Sequence, residues 1–335
     1  MLSESLRNKK ITICSQNLEN FGLLDDMRKR NRKITLEKRI EKIQAIVDRI
    51  LLVNCDLIAL QEVLGKKERT AQRALEDIAA LLQERTGEKF LIFTGPSNDS
   101  FSRLAYLLRR NIGEMIDLRS YKMLQLPQLS SRQRPRRFSR GPLELRIAQS
   151  GSGREITLIN FHLKSKAFAY YDGTKLSWES YRMEQAEMLR KIALAHLSEQ
   201  RNSEVDNTLI LLGDRNSHFD AASAKVLDGR LELADFQTLG SCSVSKKGIS
   251  LCPSGIERLP SLIGVISANV TLPSDTGTFL YKNQYRWIDE IYLLRSDLEL
   301  VETYTDRRNN YYFKKGVTHK YQEASDHGLL WVTLQ

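Results

Sequence analysis

The sequence predicts an α/β protein in which two mixed β-sheets pack face to face, with helices on their outer surfaces. Short apolar runs typical of strands alternate along the chain with longer segments of helical periodicity. Two of the strand-like runs are joined by Gly151-Ser152-Gly153, which indicates a β-hairpin. Hairpins mixed with strand–helix units argue against a doubly wound parallel sheet and favour two stacked mixed sheets.

Two helices and four strands are predicted in the first part of the chain. Apolar residues recur on one helical face over Thr35–Leu52. A second amphipathic pattern covers Thr70–Arg85 and stops at Gly87, a residue type common after helix ends. The predicted strands are Ile11–Ser15, Asp56–Gln61, Phe90–Thr94 and Leu104–Arg109.

The rest of the chain repeats this alternation. The predicted strands are Leu143–Ala148, Glu155–Phe161, Thr208–Leu212, Trp287–Leu294 and Gly328–Leu334, and the predicted helices are Trp178–Ser198 and Asp220–Asp228. We expect residues 1–335 to form a single domain with long surface loops at about 128–142 and 240–286. The second loop region is rich in Ser, Gly and Pro and has weak periodicity.

The composition argues against membrane and zinc proteins. Hydrophobic residues make up 41% of the chain, but apolar runs such as Leu209–Leu212 are far shorter than the ~20 residues of a membrane span. The polar start lacks the apolar region of a secretion signal. No cysteine pair has CxxC spacing, and the sequence therefore predicts free thiols in a reducing cytoplasm, with Cys14 and Cys55 buried. The four cysteines are Cys14, Cys55, Cys242 and Cys252.

The positive charge is unevenly distributed along the sequence. The net charge is +10, and the segment 103–146 contains eleven Arg or Lys against three acidic residues. Arg132, Arg134, Arg136 and Arg137 form its densest part. Such a field favours a polyanionic partner, nucleic acid first and an anionic membrane surface second. A solvated face with no partner accounts for the charge equally well.

Polar side chains occur in or beside six of the strand-like runs. They are Asn17, Glu62, His162, the pair Asp214 and Asn216, Asp289, and the pair Asp326 and His327. The ends of rigid strands are common places for functional groups. Carboxylate and amide oxygens are the ligands that hard divalent cations prefer, and histidine gives or takes a proton near neutral pH. These residue types suit the hydrolysis of a phosphodiester by metal-assisted water.

Together and in this order, these elements resemble the endonuclease/exonuclease/phosphatase superfamily. The matching stretches are SQNLENFG, LIALQEV, NFHLKSK, LLGDRNS, WIDEI and the final Ser325-Asp326-His327, and they extend over nearly the whole chain. The stretch RFSRGPL, with Arg140, also resembles a family element in which the arginine supports the site.

The resemblance implies a fold, a cofactor and a metal site. It implies a four-layer α-β-β-α sandwich with two mixed central β-sheets, and one or two Mg²⁺ or Mn²⁺ ions. Glu62 would be the principal metal ligand with Asn17 assisting. Asp326 would hold metal or position His327.

The resemblance also implies catalytic roles. Asp214 would orient or deprotonate the attacking water, while Asn216 and His162 would bind the scissile phosphate. His327 would stabilise the pentavalent phosphorane, with Asp289 orienting one of the histidines.

Two further positions are candidates for substrate binding. Lys164 follows His162 and could lie near the phosphate. Arg215 stands where the family usually has an aromatic residue, and it could contact substrate or pack across the sheet edge. The form HLKSK is similar to the branch of secreted-type nucleases and lipid phosphodiesterases rather than to the abasic-site repair branch.

Three functions remain open from the sequence. The leading one is a nuclease that cleaves DNA, because the basic segment offers sequence-independent affinity for a phosphate backbone. The second is a phosphatase or phospholipid phosphodiesterase acting on a small phosphoester or a lipid headgroup. The third is a binding scaffold without catalytic activity.

Overall fold

The strands and helices described below come from a computed structural model. It describes residues 10–129, 135–152, 154–166, 178–201, 207–236, 243–244, 250–251, 276–281, 284–294, 300–303, 313–314 and 324–334. In chain order the strands are β1 (Ile11–Phe21), β2 (Leu57–Leu64), β3 (Phe90–Thr94), β4 (Ser102–Arg109), β5 (Gly113–Ser120), β6 (Leu143–Gln149), β7 (Glu155–His162), β8 (Asn207–Asp214), β9 (Ser243–Val244), β10 (Ser250–Leu251), β11 (Thr276–Gly277), β12 (Phe279–Tyr281), β13 (Gln284–Arg286), β14 (Asp289–Leu294), β15 (Leu300–Thr303), β16 (Phe313–Lys314) and β17 (Leu330–Leu334). The helices are α1 (Leu24–Arg30), α2 (Leu36–Val53), α3 (Glu68–Thr86), α4 (Glu179–Arg201) and α5 (Ala222–Asp228), with a 3₁₀ turn at Leu233–Phe236.

Two mixed sheets form the centre of the molecule. The larger sheet has the strand order β15-β17-β1-β2-β4-β3, and the smaller sheet has the order β14-β8-β7-β6-β5. Each sheet contains one parallel pair, β1 with β2 and β7 with β8, and its other neighbours are antiparallel. Helical crossovers join both parallel pairs, α1 and α2 in the larger sheet and α4 in the smaller one.

The packing produces four layers. Apolar residues of β1 and β2 meet those of β6, β7 and β8 between the sheets, and α2 and α3 cover the outer face of the larger sheet. A second apolar cluster joins α4 and α5 to the outer face of the smaller sheet. The predicted sandwich of two mixed sheets between helical layers is therefore confirmed.

Most predicted elements are present, with shifted ends. The elements that were not predicted include α1, which is a short charged helix, and β5, whose middle residues are largely exposed. The short strands β9 to β13, β15 and β16 were not predicted either. Among the described residues, no helix is both long enough and apolar enough to cross a bilayer.

Parts of the two regions predicted as surface loops are described. In the region 240–286 the described residues include the short strands β9 to β13, so the region is not irregular throughout. In the region 128–142, Phe138 and Arg140 are buried rather than on the surface. Residues 130–134, with Arg132 and Arg134, lie outside the described part of the chain.

The prediction of free thiols is wrong for two of the cysteines. Cys14 in β1 and Cys55 just before β2 form a disulfide bond, with Cα atoms 6.0 Å apart. Both are buried, as predicted, whereas Cys242 and Cys252 lie outside the described residues. Disulfides form mainly in oxidising compartments. The prediction of a cytoplasmic location rested on free thiols, and the disulfide removes that support.

Candidate active site

The fold brings the predicted site residues to one edge of the two sheets. Asn17 and Glu62 lie near the carboxyl ends of the parallel strands β1 and β2, and His162 and Asp214 end the parallel strands β7 and β8. Asp289 begins β14, which runs antiparallel to β8, and it pairs in register with Asp214. Carboxyl ends of parallel strands and the starts of their antiparallel neighbours necessarily meet at the same edge.

Asp214 is at the centre of this group and is 1% exposed. Its Oδ2 atom accepts a hydrogen bond from Nδ2 of Asn17 at 3.0 Å and lies 3.3 Å from Nε2 of His162. Its Oδ1 atom accepts a hydrogen bond from the backbone N–H of Asn216 at 2.6 Å. Asp214 therefore connects a residue of the larger sheet with two residues of the smaller one.

His327 also lies near Oδ2 of Asp214. Its Nδ1 atom is 2.9 Å from Oδ2 of Asp289. Its Nε2 atom lies 3.9 Å from Oδ2 of Asp214 and 3.8 Å from Oδ1 of Asp326. The backbone carbonyl of His327 accepts a hydrogen bond from Arg49 of α2 at 2.8 Å, which fixes the segment before β17.

The two histidines are held in opposite protonation states. Burial lowers the pKa of His162 well below its usual value, and the positive charges of Arg140 and His327 lower it further. Burial alone would also lower the pKa of His327, but the charge of Asp289, its hydrogen bond and the charge of Asp214 outweigh burial and raise the pKa well above the usual value. His162 is thus neutral and His327 cationic at neutral pH.

The carboxylates crowd one another. Burial, followed by the charge of Asp289, raises the pKa of Asp214 to about 7. Burial also raises the pKa of Asp326 to about 6; the charge of His327 opposes this rise, and the charges of Glu19 and Glu62 add to it. A side chain whose pKa lies near 7 is suited to accepting a proton at neutral pH.

This donor set fits a divalent cation. Glu62 and Asp326 are only partly buried, and the Oε1 atom of Glu62 lies 3.8 Å from Nε2 of His162. Neither nitrogen of the buried His162 ring has a hydrogen-bond partner among the described residues. Asp214, Asp289 and His327 also bring ligand atoms within 4.8 Å of one another, but Nδ1 of His327 is already bonded to Asp289. Oxygen-rich sites of this kind suit Mg²⁺ or Mn²⁺, and Glu62 with Asp326 offers the more accessible oxygens.

The backbone is unusual at several site positions. Glu62 has φ 58° and Asn216 has φ 53°, both in the left-handed region that side-chain-bearing residues seldom adopt. Gly213, immediately before Asp214, has φ 151°, and a Cβ atom there would lie 1.9 Å from the carbonyl oxygen of Phe161. Strain of this kind is often found at functional sites.

Solved structures share this architecture over almost the whole chain. The human Nocturnin catalytic domain with bound sulfate aligns with a TM-score of 0.58 at 14% identity, over 97% of this chain and 94% of that one. ANGEL2, a 2′,3′-cyclic phosphatase solved with adenosine-2′,3′-vanadate, gives a TM-score of 0.60 at 14% identity, over 97% and 95%. An endonuclease/exonuclease/phosphatase family protein from Bacteroides thetaiotaomicron gives 0.52 at 15% identity, over 97% of each chain.

This chain has the endonuclease/exonuclease/phosphatase fold. No protein-family model and no curated protein matches the sequence. At 14–15% identity, the structural likeness establishes the fold and leaves the activity to be argued from the site.

Arg140 and Lys164 lie beside the site of this endonuclease/exonuclease/phosphatase fold. The buried guanidinium of Arg140 donates to the carbonyl oxygen of Leu163 at 2.7 Å, and its Nε atom has no partner among the described residues. Burial lowers the pKa of Lys164, and the charge of Arg140 lowers it further. The ammonium of Lys164 lies 5.1 Å from the ring centre of Trp178, and Arg182 holds the Lys164 carbonyl oxygen at 2.9 Å.

Arg215 does not face the site, which corrects its prediction as a substrate contact. Its side chain is 1% exposed, and its Nη2 atom donates to the carbonyl oxygen of Trp287 at 3.0 Å. Its Nη1 atom lies 3.4 Å from the hydroxyl of Tyr292 and 3.6 Å from the carboxylate of Glu290. The arginine therefore packs inside the protein. Packing rather than substrate contact was the second alternative that the sequence left open.

Beneath the site, a polar network that sequence reasoning missed links the two sheets of the fold. The carboxamide of Asn160 donates to the carbonyl oxygens of Leu60 (3.0 Å) and Ala105 (3.1 Å) and accepts from Gln61 (2.8 Å). Gln61 also donates to the Ser15 hydroxyl at 3.2 Å. Asn160 and Ser15 stand two positions before His162 and Asn17, on the same strand faces, and this spacing was the only available signal.

The basic segment 103–146 does not form one free surface. Arg103 is buried and donates to the carbonyl oxygens of Gly65 and Lys66. Arg109 pairs with Asp56 and Glu88, and Arg146 pairs with Glu155. Part of the charge that is concentrated in the sequence is thus buried or paired within the described part of the fold, which weakens the charge argument for a nucleic-acid partner.

Proposed function

We propose that the chain is a metal-dependent hydrolase of phosphoester bonds, and that its leading substrate is DNA. One observation carries the assignment to phosphoester hydrolysis. Oδ2 of Asp214 lies 3.3 Å from Nε2 of the neutral His162 and 3.9 Å from Nε2 of the cationic His327. Two histidines of opposite protonation state beside one carboxylate are suited to different tasks: the neutral one binds phosphate and the cationic one stabilises developing negative charge.

Each residue then has a defined task. Asp214 accepts a proton from water as the water oxygen forms a bond to phosphorus and the bond to the leaving oxygen breaks. Neutral His162 holds a phosphoryl oxygen. The carboxamide of Asn216 donates to the carbonyl oxygen of Leu163 at 3.1 Å and to Oδ2 of Asp214 at 3.2 Å, and it holds a second phosphoryl oxygen by exchanging one of these bonds. The imidazolium of His327, kept protonated by Asp289, stabilises the charge of the phosphorane.

A divalent cation completes the chemistry. When bound by Glu62 and Asp326, with Asn17 beside them, Mg²⁺ or Mn²⁺ would neutralise charge on the phosphoryl and leaving oxygens. Arg140 and Lys164 add positive charge on the His162 side, where the substrate phosphate would lie.

The structural neighbours support a phosphoester substrate. Nocturnin was solved with sulfate and ANGEL2 with an adenosine vanadate, and both anions are oxyanions comparable to phosphate. ANGEL2 is a cyclic phosphatase. This fact and the internal pairing of the basic segment favour a second candidate function, a phosphatase or phospholipid phosphodiesterase acting on a small or lipid-borne phosphoester.

A substrate panel tests the proposal. Plasmid DNA, single-stranded DNA, RNA, nucleotides, inositol phosphates and sphingomyelin vesicles would be incubated with Mg²⁺, Mn²⁺ or EDTA. We expect metal-dependent cleavage of DNA that Asp214→Asn and His162→Ala abolish. His218→Ala is the matched control, because His218 is partly exposed and bonded to Asp220 outside the cluster. Cleavage of none of these substrates by the wild-type protein would refute the proposal, and cleavage of only the small or lipid esters would establish the second candidate.

A further inference from the structure

A cleft of roughly 380 Å³ lies on the side of the larger sheet, next to the candidate active site. Its walls come from the irregular end of β1, from α1 with the turn after it, and from the first half of α2. The volume is in the range of small-ligand sites. None of the roles assigned above uses this cleft.

The cleft shares a wall with the predicted metal site. The backbone N–H of Asn20 donates to Oε2 of Glu62 at 2.9 Å, and the N–H of Glu19 donates to Oδ1 of Asn17 at 2.9 Å. Glu19 and Asn20 both line the cleft and both have positive φ, where β1 loses its regular pairing with β2. A group bound in the cleft would therefore lie against the backbone that positions the predicted metal ligands Glu62 and Asn17.

The charges of the cleft favour an anion. Lys42 donates to the carbonyl oxygen of Glu19 at 3.1 Å and to its carboxylate at 3.3 Å, so the two charges offset each other. Arg30 and Lys38 also line the cleft, and neither forms an ion pair with a described residue. Glu41 is the remaining acidic residue, which leaves a net positive charge.

The other groups that line the cleft favour a ligand with a flat ring and polar atoms at the ring edge. Met27 and Ile34 supply an apolar surface. The side-chain nitrogens of Asn20 and Asn31 make no hydrogen bond to any described residue, so both carboxamides can bond to a ligand. A nucleobase with its phosphate offers hydrogen-bond and charge partners to these amides and cations, which an acyl chain does not.

We propose that this cleft binds the base and phosphate of the nucleotide next to the scissile phosphate, and thereby selects nucleic acid over simple phosphodiesters. The inference rests on the proposed function. It assigns the recognition of a neighbouring nucleotide to Arg30, Lys38, Asn20, Asn31 and the apolar floor.

Kinetics on two substrates test the proposal. The variants are Arg30→Glu/Lys38→Glu, which reverses the charge, and Ile34→Trp, which fills the cleft. Lys33→Glu is the matched control, since Lys33 is exposed between Asn31 and Ile34 and does not line the cleft. The substrates are a DNA oligonucleotide and bis(p-nitrophenyl) phosphate, which has no base and no second phosphate.

We expect both cleft variants to raise the KM for the oligonucleotide by about tenfold and to leave kcat/KM for bis(p-nitrophenyl) phosphate within about twofold. The charge-reversal variant should also reduce the slope of log KM against log salt by about 1 for each lost phosphate contact. Lys33→Glu should change the oligonucleotide KM much less. Thermal melting of each variant checks that it is folded.

Equal losses on both substrates, or no loss on the oligonucleotide, would overturn the cleft proposal while leaving the proposed function intact. If the wild-type protein hydrolyses neither substrate, DNA fails as the leading substrate of the proposed function. Oligonucleotide binding, measured by fluorescence anisotropy for wild type and cleft variants, then decides the cleft proposal: weaker binding by the variants supports it, and unchanged binding overturns it.

Discussion

The carboxylate of Asp289 lies 2.9 Å from Nδ1 of His327, and its charge acts on two titrating groups of the site at once. It raises the pKa of His327, against the effect of burial. After burial, it is also the largest cause of the raised pKa of Asp214. Asp289 therefore controls both the base and the cation of the proposed mechanism.

Replacing Asp289 with Asn should move the whole pH–activity profile to lower pH. In the wild-type protein, activity should rise as Asp214 loses its proton, near or below pH 7, and fall as His327 loses its proton at high pH. Without the negative charge, the pKa values of Asp214 and His327 both fall. The rise and the fall of the activity profile should therefore both move to lower pH by about 1 unit or more. The measurement is kcat/KM against pH at saturating metal.

Asp220→Asn is the control for the same chemical change. Asp220 is exposed and bonds to His218 outside the cluster, so its variant should keep the wild-type profile. An optimum for Asp289→Asn that stays in place or moves to higher pH would contradict the assignment.

The disulfide between Cys14 and Cys55 should contribute measurably to stability. The two residues are 41 positions apart, and closing a loop of this length reduces the entropy of the unfolded chain by an amount worth about 4 kcal/mol. Because the bond is buried, native protein should resist dithiothreitol until denaturant opens it. Urea unfolding of Cys14→Ser/Cys55→Ser should show a lower midpoint than the oxidised wild type.

Peptide mapping checks the bond itself. A non-reducing digest of purified protein should contain a linked pair of peptides carrying Cys14 and Cys55. Complete alkylation of both thiols in unreduced, denatured protein would contradict the disulfide.

The sequence and the fold differ in ways that have physical causes. Cys14 and Cys55 carried no pairing signal, because their proximity depends on the parallel pairing of β1 with β2 across two helices. Arg215 follows Asp214 in a polar stretch, and only the antiparallel neighbour β14 supplies the Glu290 that allows its burial. Long-range strand pairing of this kind cannot be derived from local periodicity.

The proximity of the candidate site residues was easier to predict because their placement is local. Each residue stands in or beside an apolar strand, and a sheet edge collects such positions once the strand directions are known. Asp289 and His327 show the limit of this reasoning. Their residue types indicated a pair, but Asp289 could have oriented either histidine, and the 2.9 Å contact selects His327.

Asn160 should act as a positioning residue for Glu62. Its carboxamide bonds to the carbonyl oxygen of Leu60, where the pairing of β2 with β4 becomes irregular just before Glu62. Asn160→Leu leaves Gln61 and two carbonyl oxygens without this partner, which should cost about 2–5 kcal/mol of stability. It should also raise the metal concentration needed for half-maximal activity severalfold, with kcat at saturating metal largely retained.

Tyr106→Phe is the matched control for Asn160→Leu. The Tyr106 hydroxyl also links the sheets, donating to the carbonyl oxygen of Leu143 at 2.7 Å and accepting from the backbone N–H of Asn160 at 2.7 Å. These bonds go to β6 and to the backbone of β7 and leave the Asn160 carboxamide and its bond to Leu60 in place. This variant should lose stability without a change in metal dependence. If both variants changed the metal dependence equally, Asn160 would have only a general stabilising role.

Arg215 should matter for stability and not for substrate binding. Arg215→Met removes the cation that lies 3.6 Å from the carboxylate of Glu290, which is 2% exposed. Breaking a buried ion pair from one side costs about 3–5 kcal/mol, because the other charge remains buried. Urea unfolding should show this loss, and the double variant Arg215→Met/Glu290→Gln should recover part of it.

Arg215→Met and Lys164→Met should differ in their KM values. Below the unfolding transition, Arg215→Met should keep the wild-type KM, since its guanidinium is enclosed by Trp287, Tyr292 and Glu290. Lys164→Met removes a partly exposed cation beside Arg140 and should raise KM with little loss of stability. A raised KM for Arg215→Met at unchanged stability would restore the view that this arginine contacts substrate, because only a direct contact could change binding without changing the fold.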